Sequence, residues 1–434
     1  MRILLVSNFY YRRGGDCTYL LALQKLLEAH GHETAVFSMR HPKNLPCPQE
    51  PYFVDFLDYA ELNRKKNPLA ALQVLKRSIW SKQAAQNMAR LVTDWKPDLA
   101  HFQNIHAYLT PSIFAPLQKA GVPVVWTLHD YKLLCPDSTF LCHGHICEAC
   151  KGGRFWHCAA KKCKKNSLAA SAMATMEALA HRRLNLSQKV ARFICPSQFL
   201  KQKFVDFGYS AEKFTVLPNF LPETDDLGEN TVKNGLWGGE NGLKPVDRTQ
   251  NSYGLYVGSL LPPKGLQTLL KAFAKAPPHP FHVVGAGSER ESLENLAREL
   301  KIDKNVKFFG HLEGQALKNE QSGAAYTVVP SEWYENQPFS IMEALAAGKC
   351  VIASDMGGIP ELIQSGRTGW LFPAGDVDAL AKRIEDVWTH PAEAAVLGKN
   401  GMERMKTMYS PEAYFARLMP IYGESQRGEA SRGR

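Results

Sequence analysis

Two glutamates carry the clearest chemical signal in this sequence. Glu335 and Glu343 stand eight positions apart in the run Pro330-Ser331-Glu332-Trp333-Tyr334-Glu335-Asn336-Gln337-Pro338-Phe339-Ser340-Ile341-Met342-Glu343. An apolar strand pattern ends at Val329, a loop carries Glu335, and a helix opens near Pro338, a residue suited to a first helical turn. The unpaired amides of such a turn attract anions. A carboxylate accepts hydrogen bonds in pairs, which suits the vicinal hydroxyls of a sugar. One glutamate on a sugar, the other on a ribose, and phosphates on the helix end between them is a chemically coherent arrangement. A bare pair of glutamates at this spacing is also ordinary surface composition, so the pair needs company.

That company is present. Glu343 is followed by Ala344-Leu345-Ala346-Ala347-Gly348, then Val351-Ile352-Ala353-Ser354 and Gly357-Gly358-Ile359-Pro360-Glu361. Gly14-Gly15 follows the first apolar run. Val257-Gly258-Ser259-Leu260-Leu261-Pro262-Pro263-Lys264-Gly265 and Val284-Gly285-Ala286-Gly287 lie upstream of the glutamates, and Thr127-Leu128-His129-Asp130 ends an early strand pattern. Taken together these segments resemble the retaining glycosyltransferases of family four, which have the two-domain GT-B fold. The resemblance covers most of the chain except about 135–190 and 222–252.

The resemblance implies roles that also make physical sense. Gly14 and Gly15 let the backbone approach a diphosphate, with no Cβ intervening. Lys264, in the donor-phosphate segment with Ser259, brings a positive charge to the oxygens on which negative charge builds as the leaving group departs. Glu335 would bind donor-sugar hydroxyls and Glu343 the nucleotide ribose. Gly285 and the stretch Asn336, Gln337, Pro338 and Phe339 would complete the donor site. His129 matches the family's active-site histidine, with Asp130 beside it. Glu335, Lys264 and His129 are thus the expected catalytic set. One position departs from the pattern: the family usually has Arg where this chain has Ser259, which removes a bidentate phosphate contact. Arg12 and Arg13 are candidate substitutes. A catalytically weak, glycosyltransferase-like binding subunit is the alternative that this departure raises.

The family reading implies front-face attack by the acceptor hydroxyl, assisted by the leaving phosphate, with no protein nucleophile. No Asp-x-Asp motif occupies a suitable loop, so no divalent cation is expected for transfer. The donor would be a nucleoside-diphosphate sugar, UDP or GDP before others. The acceptor would be a glycan or lipid-linked glycan in cell-surface polysaccharide synthesis.

Six of the ten cysteines lie between 135 and 163. In a reducing compartment such clustering argues for metal before disulfide. Cys147-x2-Cys150 and Cys158-x4-Cys163 offer four thiolates for a structural zinc. His143, His145 and His157 are spare ligands and Cys135 could replace one cysteine. An iron–sulfur cluster and plain free thiols are the alternatives. A subset of bacterial polysaccharide glycosyltransferases has a similar Cys-rich segment after its His-Asp-Tyr stretch.

The elements that must position these groups follow from hydrophobic periodicity. Apolar runs predict strands over 3–6, 34–37, 99–102, 122–128 and 192–195, with a helix over 19–29 that stops at Gly31. The pattern lapses in a polar, Gly/Asn-rich stretch. It then resumes with strands over 253–257, 281–284, 306–309, 326–329 and 351–353 and helices over 267–275, 290–300, 338–347 and 376–388. Strands alternating with helices predict parallel α/β sheets. The expected fold class is therefore α/β of GT-B type, two doubly wound Rossmann-like domains facing a cleft. The expected organisation is an acceptor-side domain over 1–221 with a Cys-rich insert at 135–165, a linker over 222–252, a nucleotide-sugar domain over 253–407, and a crossing helix and tail over 408–434.

Composition narrows the function classes. The chain has 434 residues, 45% hydrophobic and 22% charged, with a formal net charge of +10. No run of about 18 apolar residues would span a membrane. The opening run lacks the features of a secretory signal. A cytoplasmic protein is expected, peripheral at the inner face of the plasma membrane. Residues 1–220 hold 29 basic and 15 acidic side chains, so the first half would face something anionic, such as lipid head groups. Arg64-Lys65-Lys66 and the pairs Lys161-Lys162, Lys164-Lys165 and Arg182-Arg183 lack the interleaved aromatics of a nucleic-acid surface, and no nucleic-acid partner is expected. A nicotinamide oxidoreductase is disfavoured, because Gly285-x-Gly287 has Arg290 where a third glycine belongs.

Overall fold

A computed structural model describes residues 1–56, 77–222 and 252–432, with side chains through 428. Residues 223–251 of the stretch read as a linker over 222–252, and the Arg64-Lys65-Lys66 triplet, lie outside the described residues. The chain forms two compact units. One comprises Met1–Pro218 together with Tyr414–Arg434; the other is Asn219–Ala413.

The first unit is built on a six-stranded parallel sheet. Its strands are β1 (Arg2–Val6), β2 (Glu33–Phe37), β3 (Leu99–Phe102), β4 (Val124–Thr127), β7 (Arg192–Cys195) and β8 (Phe214–Val216). They lie in the order β2-β1-β3-β4-β7-β8. Between β4 and β7 a two-residue hairpin, β5 (Leu141–Cys142) and β6 (His145–Ile146), stands apart from the sheet. Parallel strands covered on both faces read as continuous apolar runs. Ile3, Leu4, Leu5 and Val6 are all fully buried. Helix α1 (Gly15–Ala29) turns Tyr19, Leu20, Leu23, Leu26 and Leu27 inward. The chain leaves it through Gly31 at φ +77°, a left-handed position that favours glycine.

The helix Pro411–Arg432 belongs largely with this first unit. Tyr422 meets Nδ1 of the buried His101 at 2.6 Å, while His101 Nε2 meets Thr127 Oγ1 at 2.7 Å. Tyr414 hydrogen-bonds Tyr19, and Phe415 stacks on His30 at 3.7 Å. These buried polar groups are all partnered, which keeps their desolvation from being a net loss.

The second unit has its own six parallel strands: β9 (Tyr253–Val257), β10 (Phe281–Val284), β11 (Val306–Gly310), β12 (Ala324–Val329), β13 (Cys350–Ser354) and β14 (Trp370–Phe372). Their order is β11-β10-β9-β12-β13-β14, the doubly wound order in which the winding reverses between the first and fourth strands. In such sheets ligands bind at the carboxyl ends of the strands that flank the reversal. Here those strands are β9 and β12, and the loops leaving them carry Lys264 and Glu335. In the first sheet the reversal falls between β1 and β3, whose loops carry Gly14-Gly15 and Gln103.

The periodic reading finds β1, β3, β7, β9 and β10 to within a residue. It misses β8 and β14, the last strand of each sheet, because three-residue strands such as Trp370-Leu371-Phe372 are too short to show a period. It also leaves unassigned the helices Lys82–Trp95, Leu168–Arg183 and Pro391–Met408. The second of these is rich in alanine, so its buried face is not marked by large apolar residues.

Candidate active site

The loop after β12 is shaped around Glu335. Ser331 Oγ donates to Glu335 Oε1 at 2.9 Å, Trp333 Nε1 donates to the same oxygen at 2.7 Å, and Lys264 Nζ reaches it at 2.5 Å. Three donors on Oε1 leave Oε2 available to other hydrogen-bond donors. The residue is 8% exposed, so the carboxylate is held rigidly by charged and neutral donors in a partly desolvated place. Ser331, Trp333 and Glu335 stand two residues apart in the loop, and the fold turns all three to the same point. That spacing was the available signal for Ser331 and Trp333, which sequence reasoning passed over.

Glycines supply the close approaches behind this loop. Gly357 sits at φ +64°, and a Cβ there would lie 2.4 Å from the Glu335 carbonyl oxygen. The neighbouring Gly358 amide donates to that same oxygen at 2.7 Å. Gly265 at φ +72° presses on Pro330, where a Cβ would come within 1.9 Å of the carbonyl oxygen. Glu332 closes the contact from the other side, its amide donating to Pro263 O at 2.8 Å and its carboxylate accepting from Thr268 Oγ1 at 2.5 Å. The Pro262–Lys264 turn is thereby locked to the Glu335 loop.

Gly285 works similarly one loop away. Its virtual Cβ falls 1.7 Å from Gly258 O, and Gly258 and Leu260 donate to Val284 and Ala286 at 3.0 Å each. The glycine therefore lets two loop backbones touch beside Ser259. Ser259 is half-buried, and its carbonyl accepts from Tyr256 Oη at 2.9 Å. Burial and the nearby Glu335 raise the Tyr256 phenol well above its ordinary range, so it stays a donor.

The helix beyond the loop runs Phe339–Ala346 with Pro338 as its cap. Proline has no N–H, so the donors open at this helix end are the amides of Phe339 and Ser340. Pro338 itself supplies shape only. Gln337 is occupied: its Oε1 accepts from the Asn219 amide at 2.6 Å and its Nε2 donates to Asn219 O at 3.4 Å. It clamps the start of this unit's chain. Asn336 stands beside it in the same loop. Glu343 lies on the helix, half-buried, and accepts from Gln321 Nε2 at 2.9 Å through Oε2. Burial raises its carboxyl above the usual range.

The first unit holds the remaining groups. Gly14 and Gly15 are exposed at the start of α1, and Gly14 is its extended cap with φ −169°. Arg12 and Arg13 are exposed in the same loop, and the Arg13 guanidinium lies 4.0 Å over the Phe9 ring. Asp16 accepts from Asn104 Nδ2 at 2.8 Å. His129 meets Gln103 Oε1 through Nε2 at 2.6 Å, and its ring stands edge-on to Tyr19 at 5.1 Å. Burial pushes the His129 pKa down to about 4, against an upward pull from Asp16. At neutral pH this histidine is uncharged. Asp130 is pushed up to about 6 by burial and accepts from the Lys132 amide at 2.9 Å. Gln103 was not legible in the sequence, because it orients His129 from a strand end 26 residues away.

Six of the cysteines lie in the lobe between β4 and β7. Among the described residues no three of His, Cys, Asp or Glu stand together as a group that could hold a metal ion, and all ten cysteines are free. The Cys163 thiol hydrogen-bonds Cys142 and has Cys158 and Cys147 as neighbours, while Cys150 has Cys135, Cys158 and Cys147. Lys161 Nζ lies 3.8 Å from Cys147 Sγ. Cys150, Phe155, Cys158 and Ala178 form a small apolar core for the lobe.

Two family models tile most of the chain: Glycosyltransferase Family 4 over residues 13–224, and Glycosyl transferases group 1 over 244–404. The chain belongs to the GT-B glycosyltransferases. Its relatives include an uncharacterized 42.6 kDa protein in the cps region of Klebsiella pneumoniae, 23% identical over 83% of this chain and 87% of that protein. Other curated relatives are matched over less than two thirds of their own length, such as 43% for the glycogen synthase of Mycobacterium tuberculosis. Among solved structures this glycosyltransferase is similar to the sucrose-phosphate synthase of Thermosynechococcus elongatus, with TM-score 0.67, 19% identity and 98% of each chain covered. It is likewise similar to Anabaena HepE in complex with UDP-glucose, with TM-score 0.63, 18% identity, and 98% and 99% of the two chains covered. No described helix of the glycosyltransferase is long and apolar enough to cross a membrane.

Proposed function

We propose that this glycosyltransferase moves a sugar from a nucleoside-diphosphate donor, UDP- or GDP-linked, to a glycan or lipid-linked acceptor in cell-surface polysaccharide synthesis, with retention of anomeric configuration. The observation that carries the reading is the three-donor clamp on one oxygen of Glu335, with Lys264 as its charged member. A carboxylate fixed through Oε1 presents Oε2 to donor-sugar hydroxyls without reorganising. Lys264, held beside it, offers its charge to the phosphate oxygens. The Phe339 and Ser340 amides suit the same phosphates, Glu343 suits the ribose, and in the first unit the Gly14-Gly15 backbone suits an anion.

In the step itself the bond from the anomeric carbon to the diphosphate oxygen breaks and its electron pair leaves with the diphosphate. The acceptor oxygen bonds to the same face of that carbon. The acceptor's proton passes to the leaving phosphate. Charge on the departing oxygens is what Lys264 and the helix amides stabilise. Neutral His129, oriented by Gln103, would hydrogen-bond the transferring sugar.

Thermal shift against UDP-, GDP-, ADP- and dTDP-sugars, with and without EDTA, tests the donor. A bound donor at a hundredfold excess over its dissociation constant adds about 2.7 kcal/mol of apparent stability. A shift with one nucleotide family that survives EDTA is the expected result. Retention is tested by the anomeric configuration of the product in NMR. The weak binding subunit is the second reading, motivated by Ser259: donor binding without turnover, with tighter binding in Ser259→Arg, would favour it. A structural zinc on Cys147, Cys150, Cys158 and Cys163 is a separate proposal, supported by the spacing and by the coupling of metal binding to the ordering of such small lobes. Elemental analysis is expected to give about one zinc per chain, and none removes it. Peripheral contact with anionic membrane at the cytoplasmic face is proposed on the charge of the first half, and equal sedimentation with anionic and neutral vesicles would count against it.

A further inference from the structure

The helix Leu168–Arg183, in the segment between β4 and β7, is built inside out. A surface helix normally turns its apolar stripe to the core and its polar face to water. Here the buried positions are Ser171, Ala174, Thr175, Glu177, Ala178 and His181. Neighbours hold the polar groups among them. Ser171 Oγ accepts from the Lys164 amide at 2.9 Å, Thr175 Oγ1 donates to Ser171 O at 2.8 Å, and Glu177 pairs with Lys132 at 3.0 Å. The outward positions carry Leu168, Met176 and Leu179, which are 58%, 44% and 43% exposed.

These side chains make one patch. Leu168, Ala172, Met176, Leu179 and Arg183 follow one another at helical steps of three or four residues, which stacks them along one face. A single exposed leucine is ordinary, whereas a continuous apolar face marks a surface that something covers. Charge says what covers it. Residues 151–189 hold nine Lys and Arg against one acidic residue, Glu177, which is buried and already paired. Lys161, Lys162 and Lys165 are exposed just before the helix, and Arg182 and Arg183 are exposed at its end. An apolar stripe with cations at both ends suits lipid, the acyl chains taking the stripe and anionic head groups the cations. A second copy of the chain fits worse, because two-fold pairing sets a surface against itself and would bring these cations together. The helix has 16 residues, so it is about 24 Å long, and its buried polar face suits it to lie flat in the interface.

We propose that the outward face of Leu168–Arg183 docks on an anionic bilayer, with Leu168, Met176 and Leu179 among the upper acyl carbons and Lys162, Lys165 and Arg183 at the head groups. This rests on the peripheral-membrane reading above and names the element that makes the contact. Surface charge alone gives an attraction that salt screens. The inserted side chains add a part that salt leaves in place, because it comes from apolar burial.

The test is co-sedimentation of the full chain with vesicles of phosphatidylcholine carrying about 30% phosphatidylglycerol, beside phosphatidylcholine alone. The wild type is expected to bind the anionic vesicles at least about tenfold more tightly than the neutral ones, and to stay partly bound in roughly 0.5 M NaCl. The triple variant Leu168→Gln/Met176→Gln/Leu179→Gln should lose at least about tenfold in affinity and come off entirely in the same salt. Its substitutions lie on exposed positions, so its Tm and its nucleotide-sugar thermal shift should match the wild type. Lys162→Gln/Lys165→Gln/Arg183→Gln should also lose at least about tenfold. Val396→Gln, at a residue 58% exposed in the second unit, should bind as the wild type does. Undiminished binding by the Leu168/Met176/Leu179 variant overturns the proposal and leaves the charge-based membrane reading standing. Wild-type sedimentation that is the same with both vesicles, whether bound or unbound, sinks that reading and the proposal together. A wild-type dimer in sedimentation velocity that becomes a monomer in the same variant would make the face a contact between copies of the chain, which also overturns the proposal.

Discussion

At the scale of single residues, the site depends on how few directions each group is left to point. Glu335 has one oxygen satisfied three times over, so its other oxygen is committed to whatever arrives. Glu335→Ala should abolish most turnover and also unseat Lys264, whose partner disappears. A loss of roughly a hundredfold or more in kcat/KM is expected, the order seen when a positioned charge-stabilising contact is lost. Steady-state kinetics with the donor named by thermal shift would read it, and wild-type turnover would contradict the assignment. Gln103 makes a cleaner test. It is fully buried, its Oε1 holds His129, and its Nε2 is left without a partner. Gln103→Leu removes that unsatisfied donor, so stability should change little. The His129 ring, however, loses its anchor, and kcat should fall roughly ten- to hundredfold with KM for the donor nearly unchanged. An equal loss in Tm would mean that Gln103 is structural only.

At the scale of elements, the loops matter more than the strands that carry them. Gly357 is the instructive case: the sequence shows a Gly-Gly pair after β13, but nothing in its spacing says that it supports a glutamate 22 positions earlier. Contact at a distance of that kind has no periodic signature. Gly357→Ala combines a strained backbone, about 1–3 kcal/mol at a left-handed position, with a methyl group driven into the Glu335 carbonyl. Donor-induced thermal shift should vanish while the unliganded protein stays folded. A normal shift in that variant would show that the Glu335 loop tolerates displacement. The strands themselves were legible where burial made them apolar throughout, as in Ile3–Val6 of β1. They were illegible where they are three residues long, as in Phe214–Val216. The catalytic candidates Glu335, Lys264 and His129 were legible through resemblance, whereas their holders Ser331, Trp333, Gln103 and Gly357 were visible only once the backbone was folded. Spacing named Cys147, Cys150, Cys158 and Cys163, and the fold adds Cys142 as a hydrogen-bond neighbour of Cys163 and Cys135 as a neighbour of Cys150.

At the scale of the molecule, the first unit holds four histidines whose rings are kept below the ordinary histidine range. His101 is pushed down to about 3, His129 to about 4, and His106 and His181 are lowered as well, in each case chiefly by burial. Such groups fold as neutral rings. Their contribution is complete above the ordinary histidine range and declines as pH falls, because the unfolded chain takes up protons that the native state refuses. Asp130, pushed up to about 6, and Asp137 and Glu343, raised by burial, act in the opposite sense between pH 4 and 6. Four histidines outweigh three carboxyls. Between pH 7 and pH 5 the Tm should fall by roughly 5 °C or more, read by calorimetry at constant ionic strength. A flat profile would mean that these rings are more hydrated than the fold implies.

The return of the chain at Tyr414 has a consequence for biosynthesis. A ribosome delivers residues in order, and domains generally fold as they emerge. Here the first unit is left with His101 and Tyr19 lacking Tyr422 and Tyr414 until the last stretch is made, while the second unit has its whole sequence before then. The half that starts first is thus the half that finishes last. A nascent chain stopped after Ala413 should hold a protease-resistant second unit beside a first unit that is still readily cut, and release of the remaining helix should bring the protection of both.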